Sequence, residues 1–222
     1  MKHPLRSVLL LLCLVTAAGI AIPESSARTI PSAAATRQSR RTLRQNVREE
    51  SAQREQRRKV SAFIGLSEIY ENKDVGVQIR YPKGWEKEEP LTHEENLTLA
   101  VIFLSPGPQN TDAFRENINL VIEALPSLDI SLNDYTMAGL QKELSLFNEY
   151  TLLDSRTIAL GNRPAQRIFF TAATNLGQLM KFEQIWYQRG MTMHVWTFAD
   201  GADVFDAHAA TFERMLDTLI IR

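Results

Sequence analysis

The chain has 222 residues, 44% hydrophobic and 23% charged, with a formal charge of -1. That composition fits a folded protein and excludes a chain that is disordered throughout or built mainly from membrane spans. The charge is unevenly divided: residues 1–60 carry 12 Lys/Arg against 4 Asp/Glu, leaving 13 against 22 for residues 61–222, and so acidic a body is repelled by nucleic acid while favouring cations and basic partner surfaces.

Residues 1–27 have the three-part layout of a secretory signal: Lys2 and Arg6, an apolar run over 8–22, then small residues near Ala21 and Ala27. They predict export to the periplasm or a thylakoid lumen, with cleavage after Ala21 and after Ala27 both fitting the small-residue rule. The apolar run is 15 residues long, short of the roughly 20 that span a bilayer. Cys13, the single cysteine, follows three leucines rather than the small residue of a lipoprotein site. Removal of the signal leaves no thiol for disulfides, thiol catalysis or metal ligation. Residues 28–65 form a basic polar linker with little to bury, disordered or partly helical, where Glu50 and Arg54 stand one helical turn apart. Besides linking, such a segment suits a basic tether close to an anionic membrane.

The folded domain is expected over 66–222. Segments 68–71 and 75–80 flank Asn72-Lys73-Asp74 as a hairpin, and Tyr81-Pro82-Lys83-Gly84-Trp85 turns the chain because proline cannot donate to a ladder. Segment 97–104 is a continuous apolar strand; 117–125 alternates, with Ile118, Leu120 and Ile122 on one face, and both belong at the centre of a sheet. Ser131 caps a helix with Asp134 in its first turn. Its stripe of Leu132, Tyr135, Met137, Leu140, Leu144 and Phe147 is expected to pack on the sheet. Four strands, 150–160, 165–173, 178–188 and 191–198, then make an antiparallel meander. A last helix over 203–217 has Asp203 as its cap and Val204, Phe205, Phe212, Met215 and Leu216 on one side; 219–221 adds an edge strand. The sum is an α+β domain: an antiparallel β-sheet flanked by helices.

Four features in order over this domain resemble PsbP-like proteins: the turn Tyr81-Pro82-Lys83-Gly84-Trp85, the strand end Phe103-Leu104-Ser105-Pro106, the run Phe114-Arg115-Glu116-Asn117-Ile118-Asn119-Leu120-Val121, and the hairpin Leu160-Gly161-Asn162-Arg163-Pro164-Ala165. The bacterial and archaeal PsbP-related branch is more similar than the plant oxygen-evolving subunit. The resemblance implies an α/β/α sandwich. For photosynthetic members it implies a lumenal role in assembling or stabilising photosystem II, and by resemblance alone it admits calcium or manganese.

The side chains point to a binding module and not to an enzyme. No nucleophile elbow, phosphate loop or His-Glu-x-x-His pair occurs. His194 shares a strand face with Trp196 and Phe198 and reads as a buried, hydrogen-bonded histidine; His208, between Phe205 and Phe212, reads as core or core margin. Two weak oxygen-rich metal candidates remain, the loop His93, Glu94 and Glu95 and the pair Asp200 and Asp203, neither with calcium-loop spacing. Arg115 and Glu116, charges placed just before an apolar strand, are the candidate contacts for a protein partner, such as a membrane complex. The alternative is a periplasmic carrier or sensor of a small apolar ligand, suggested by Phe182, Trp186 and Trp196 in the late strands.

Overall fold

The computed structural model describes residues 65–90, 92–94, 96–106, 114–174 and 177–222; the signal expected at 1–27 and residues 28–64 of the linker lie outside them. Strands β1 (Glu68–Asn72) and β2 (Val77–Tyr81) form the first hairpin. Its turn runs longer than three residues: Asn72 Oδ1 accepts the Val75 N–H at 3.0 Å, and the turn closes through Gly76 at a φ of 71°, a left-handed conformation that only glycine adopts without steric cost.

Next come β3 (Glu86–Glu88), β4 (Thr92–Glu94), β5 (Leu97–Leu104), β6 (Asn117–Ala124) and helix α1 (Leu132–Leu146). The meander β7 (Asn148–Leu160), β8 (Arg163–Ala173), β9 (Leu179–Arg189) and β10 (Thr192–Gly201) follows, then helix α2 (Phe205–Asp217) and β11 (Ile220–Ile221). The large sheet has the order β3-β5-β6-β10-β9-β8-β7, with β4 also paired to β5, and its neighbours are antiparallel. A small sheet has the order β1-β2-β11.

Side-chain alternation divides the core between the two faces of the large sheet. One face carries Phe103, Ile118, Leu120, Trp196 and Phe198 against Phe205, Phe212 and Met215 of α2 and Tyr70 and Ile79 of the small sheet. The other carries Ile102, Val121, Phe170, Phe182, Trp186 and Val195 against Ile130 and Tyr135 at the start of α1. Each large side chain so buried contributes about 1.5–3 kcal/mol, which explains how a chain without disulfides sustains the fold. Trp186 and Phe182 therefore lie on one side of the sheet and Trp196 on the other. They do not form the single cluster that suggested an apolar ligand, because the register pairs Trp186 with Val195 and Trp196 with Ile185, which puts the two indoles on opposite faces.

Ser131 caps α1 as expected, its hydroxyl accepting the Asp134 N–H at 3.1 Å. The predicted stripe needs correction, since Met137 and Leu144 are 55% and 62% exposed. At 100° per residue, Tyr135, Thr136 and Glu143 share the inward side, while Met137 and Leu144, seven residues apart, lie together on the outward one. Asp203 does not cap α2: the N-cap is Val204, without a side-chain cap. A turn precedes the helix there, the Val204 N–H reaching the Gly201 carbonyl at 3.1 Å, and the Ala207 N–H is taken by the Val204 carbonyl at 3.0 Å.

Candidate functional site

The antiparallel register of β6 and β10 pairs Asn117 with Ala199. One step beyond that last pair, Glu116 comes beside Asp200, which is still within β10 and pairs with Lys181 of β9. The first turns of α2 pass over this point and deliver His208. Its Nδ1 donates to Asp200 Oδ2 at 2.7 Å and lies 3.9 Å from Glu116 Oε2; a carboxylate can only accept, which fixes the proton on Nδ1. Asp200 Oδ1 accepts the Gly201 N–H at 2.8 Å, so both its oxygens are engaged. Glu116 Oε1 is buried without a hydrogen-bond partner.

These three side chains line an open cleft of about 530 Å³, within the range of ligand and peptide sites. Its apolar lining includes Leu66, Trp85 and Phe114. Arg115 holds the rim: its Nε and Nη2 donate to the Ser105 carbonyl at 2.8 and 2.5 Å, and its Nη1 to Glu86 Oε2 at 3.1 Å. Ser105 in turn donates its N–H to the Glu116 carbonyl at 3.0 Å. Arg115 is thus committed to ordering the rim, whereas Glu116 faces the cleft.

Burial pushes the Glu116 carboxyl up to about 7, offset in part by His208 and reinforced by Asp200. The hydrogen bond to Asp200 raises His208, although the ring is 47% exposed and its ionisation is correspondingly screened. Of the two places expected for it, His208 therefore takes the core margin and not the core. Its spacing from Phe205 and Phe212 puts it on the margin of the apolar side, but the carboxylates on the neighbouring strands give it a polar destination.

The remaining candidates behave differently. Asp200 belongs to the cleft, while Asp203 is exposed beside it. His93 and Glu94 fall in β4, and Glu95 lies outside the described residues. Among the described residues, no three His, Cys, Asp or Glu side chains are arranged to hold a metal ion. His194 is 1% exposed, as expected for a core histidine. Thr192 spends its hydroxyl proton on the Arg189 carbonyl, so His194 Nε2 donates to Thr192 Oγ1 and Nδ1 accepts from the Tyr187 hydroxyl, each at 3.2 Å. Burial, with Arg189 and Arg163 nearby, pulls its pKa down to about 4 and keeps it neutral.

Two further carboxylate networks are largely buried in the domain. Under α1, the Tyr135 hydroxyl donates to Glu123 and the Tyr150 hydroxyl to Glu143 Oε2 at 3.1 Å, leaving Glu143 Oε1 without a partner. On the α2 side, Arg167 bridges Glu183, at 2.6 Å, and Glu213. The Glu183 carboxylate is fully buried, with Arg167 as its ion-pair partner. Burial raises Glu143 to about 8 and Glu183 to about 7. Neither network lines the cleft.

No family model and no curated protein matches the chain. Solved structures do. The cyanobacterial PsbP protein, CyanoP, of Synechocystis aligns with a TM-score of 0.50 at 14% identity, over 70% of this chain and 92% of CyanoP. Protein PA94 of Pseudomonas aeruginosa aligns at 0.48 and 15% identity, over 70% and 96%. LpqN, involved in cell envelope biogenesis of Mycobacterium tuberculosis, aligns at 0.42 and 13%, over 67% and 93%. The domain has the PsbP-like α+β fold, as the likeness to CyanoP shows; at such identity the likeness extends to architecture alone.

Proposed function

We propose that the protein is an exported, non-enzymatic binding module that docks a protein partner through the cleft between Trp85, Phe114 and His208. The observation that carries this reading is the cleft itself: an open hollow with apolar walls and an under-satisfied ionisable floor, set on the ends of two central strands. The acidic body supports a basic partner surface. Residues 1–27 support export, to a periplasm or, in a photosynthetic host, a thylakoid lumen, where a photosystem II assembly role would fit the PsbP-like fold. Arg115 and Glu116 then act in different ways, Arg115 by shaping the rim and Glu116 by contact.

Affinity purification from membranes at low salt tests this. A partner retained by the wild type and lost from His208→Ala and Trp85→Ala variants of unchanged thermal stability is expected. Recovery of free monomer alone from the wild type overturns it.

The Asp200–His208–Glu116 grouping also favours a second reading, general acid–base catalysis. An Asp-oriented imidazole beside a carboxyl that titrates near neutrality is the arrangement such chemistry uses. What weighs against it is the exposure of the His208 ring, since catalytic electrostatics depend on a water-excluded site. In addition, no hydrogen bond joins His208 to a hydroxyl nucleophile among the described residues. What weighs against a carrier of apolar ligands is the Trp186 ring, which fills the space between sheet and α1 at Gly139.

A further inference from the structure

The domain's first described residues form part of the cleft, because Gly65 and Leu66 line it. The Gly65 carbonyl accepts the Ser67 N–H at 3.1 Å and the Lys83 N–H at 3.3 Å, which fixes the point where the preceding chain joins the rim. That preceding chain reads Arg54-Glu55-Gln56-Arg57-Arg58-Lys59-Val60-Ser61-Ala62-Phe63-Ile64. In sequence, the apolar Val60, Phe63 and Ile64 directly precede Gly65, and a cluster of cations precedes them. The six steps from Lys59 to Gly65 reach at most about 20 Å, enough to turn back across a hollow of this size.

The match has two parts. Leu66, Trp85 and Phe114 offer apolar walls beside the point of entry, and Glu116 and Asp200 lie beneath them as carboxylates. Glu116 has an oxygen that nothing among the described residues satisfies. Charge acts in the same direction over longer range, since residues 1–60 are net basic and 61–222 net acidic.

We infer that residues 54–64 dock back into this cleft, Val60, Phe63 and Ile64 against its apolar walls and a basic side chain of residues 54–59 against Glu116, so that the chain occupies its own partner site. This rests on the cleft being the docking site. The consequence is competition. A short tether holds the segment at an effective concentration on the order of millimolar, and an external partner binds only by displacing it.

The three tryptophans provide the test. Trp186 and Trp196 are 1% and 0% exposed, so quenching of the intact chain's fluorescence by acrylamide reports on Trp85 at the cleft. The triple variant R57E/R58E/K59E, whose changes lie outside the described residues, is expected to raise the quenching constant about twofold at low salt. In the unmodified chain, sodium chloride at about 1 M is expected to do the same. Equal constants for the triple variant and the wild type, together with no salt effect, overturn the inference. If partner capture is nevertheless lost in His208→Ala, self-docking falls while the cleft remains a partner site.

Discussion

The Trp186 indole lies against Gly139 of α1 so closely that a β-carbon on this glycine would sit 2.5 Å from Cη2 and 2.6 Å from Cζ3. The helix can approach the sheet here because residue 139 has no side chain. Trp186 is held in place by Nε1 donating to Gln184 Oε1 at 2.8 Å and by an edge-on contact with Tyr135.

Gly139→Ala therefore sets two effects against each other. Alanine improves helix propensity by about 1 kcal/mol, but overpacking a rigid aromatic costs about 1–3 kcal/mol. Net destabilisation is expected, measured as a lower urea midpoint with an unchanged m-value. Trp186→Phe in the same background should recover part of the loss, because it removes the atoms in conflict.

Stability is expected to peak in mildly acidic solution. Glu143 titrates at about 8 in the folded protein, above its unfolded value near 4.3. The folded state then binds more protons between these values, and stability falls as pH rises through that window. His194 works in the opposite sense: its folded value of about 4 lies below the unfolded 6.5, so stability falls as pH drops from 6.5 towards 4. Glu143→Gln should be more stable than the wild type at pH 8, by on the order of 2–3 kcal/mol, and near-equal at pH 5. Chemical denaturation at the two pH values checks this.

Arg167 is the cation in contact with the Glu183 carboxylate among the described residues. Arg167→Ala leaves Glu183, 0% exposed, as an uncompensated buried acid, and a loss of about 3–5 kcal/mol is expected. The double variant Arg167→Met with Glu183→Gln should be markedly less destabilised than Arg167→Ala, since no charge is then stranded. A double-mutant cycle by thermal unfolding separates the two contributions.

His208 should titrate above the ordinary histidine value, and Asp200→Asn should lower its midpoint, because the hydrogen bond to Asp200 is the first cause of the rise. Proton NMR of the ring hydrogens reads both. An unchanged midpoint in Asp200→Asn would mean that the contact does not persist in solution.

Most of the architecture was legible because apolar spacing in strands is a strong signal: 97–104, 117–125 and the four-strand meander all lie where alternation and turn residues put them. The Ser131 cap was legible for a local reason, a hydroxyl three residues before a free N–H. The errors share a different cause. Met137 and Leu144 are apolar and helically spaced, yet the side of α1 that meets the sheet is chosen by Tyr135, Gly139 and Glu143, whose partners Glu123, Trp186 and Tyr150 lie on three other elements. The cleft was hidden for the same reason. Glu116 and Asp200 are 84 residues apart in the sequence and become neighbours only through the β6 and β10 register, which composition does not specify. A register argument extended one pair beyond Asn117 and Ala199 was the signal available.

The small sheet joins remote parts of the sequence. Ile220 and Ile221 pair with Gln78 and Val77, the Arg222 N–H donates to the Gly76 carbonyl at 2.9 Å, and the Arg222 side chain contacts Glu71 and Gln78, 151 and 144 residues earlier. On a ribosome, the hairpin that emerges first must wait for its third strand until this stretch has been translated. Long-range closure of this kind slows folding, and it leaves an early strand edge open to whatever else is nascent nearby. Under the export proposed above that delay is an advantage, since a protein that cannot complete its fold early stays threadable until it has crossed the membrane.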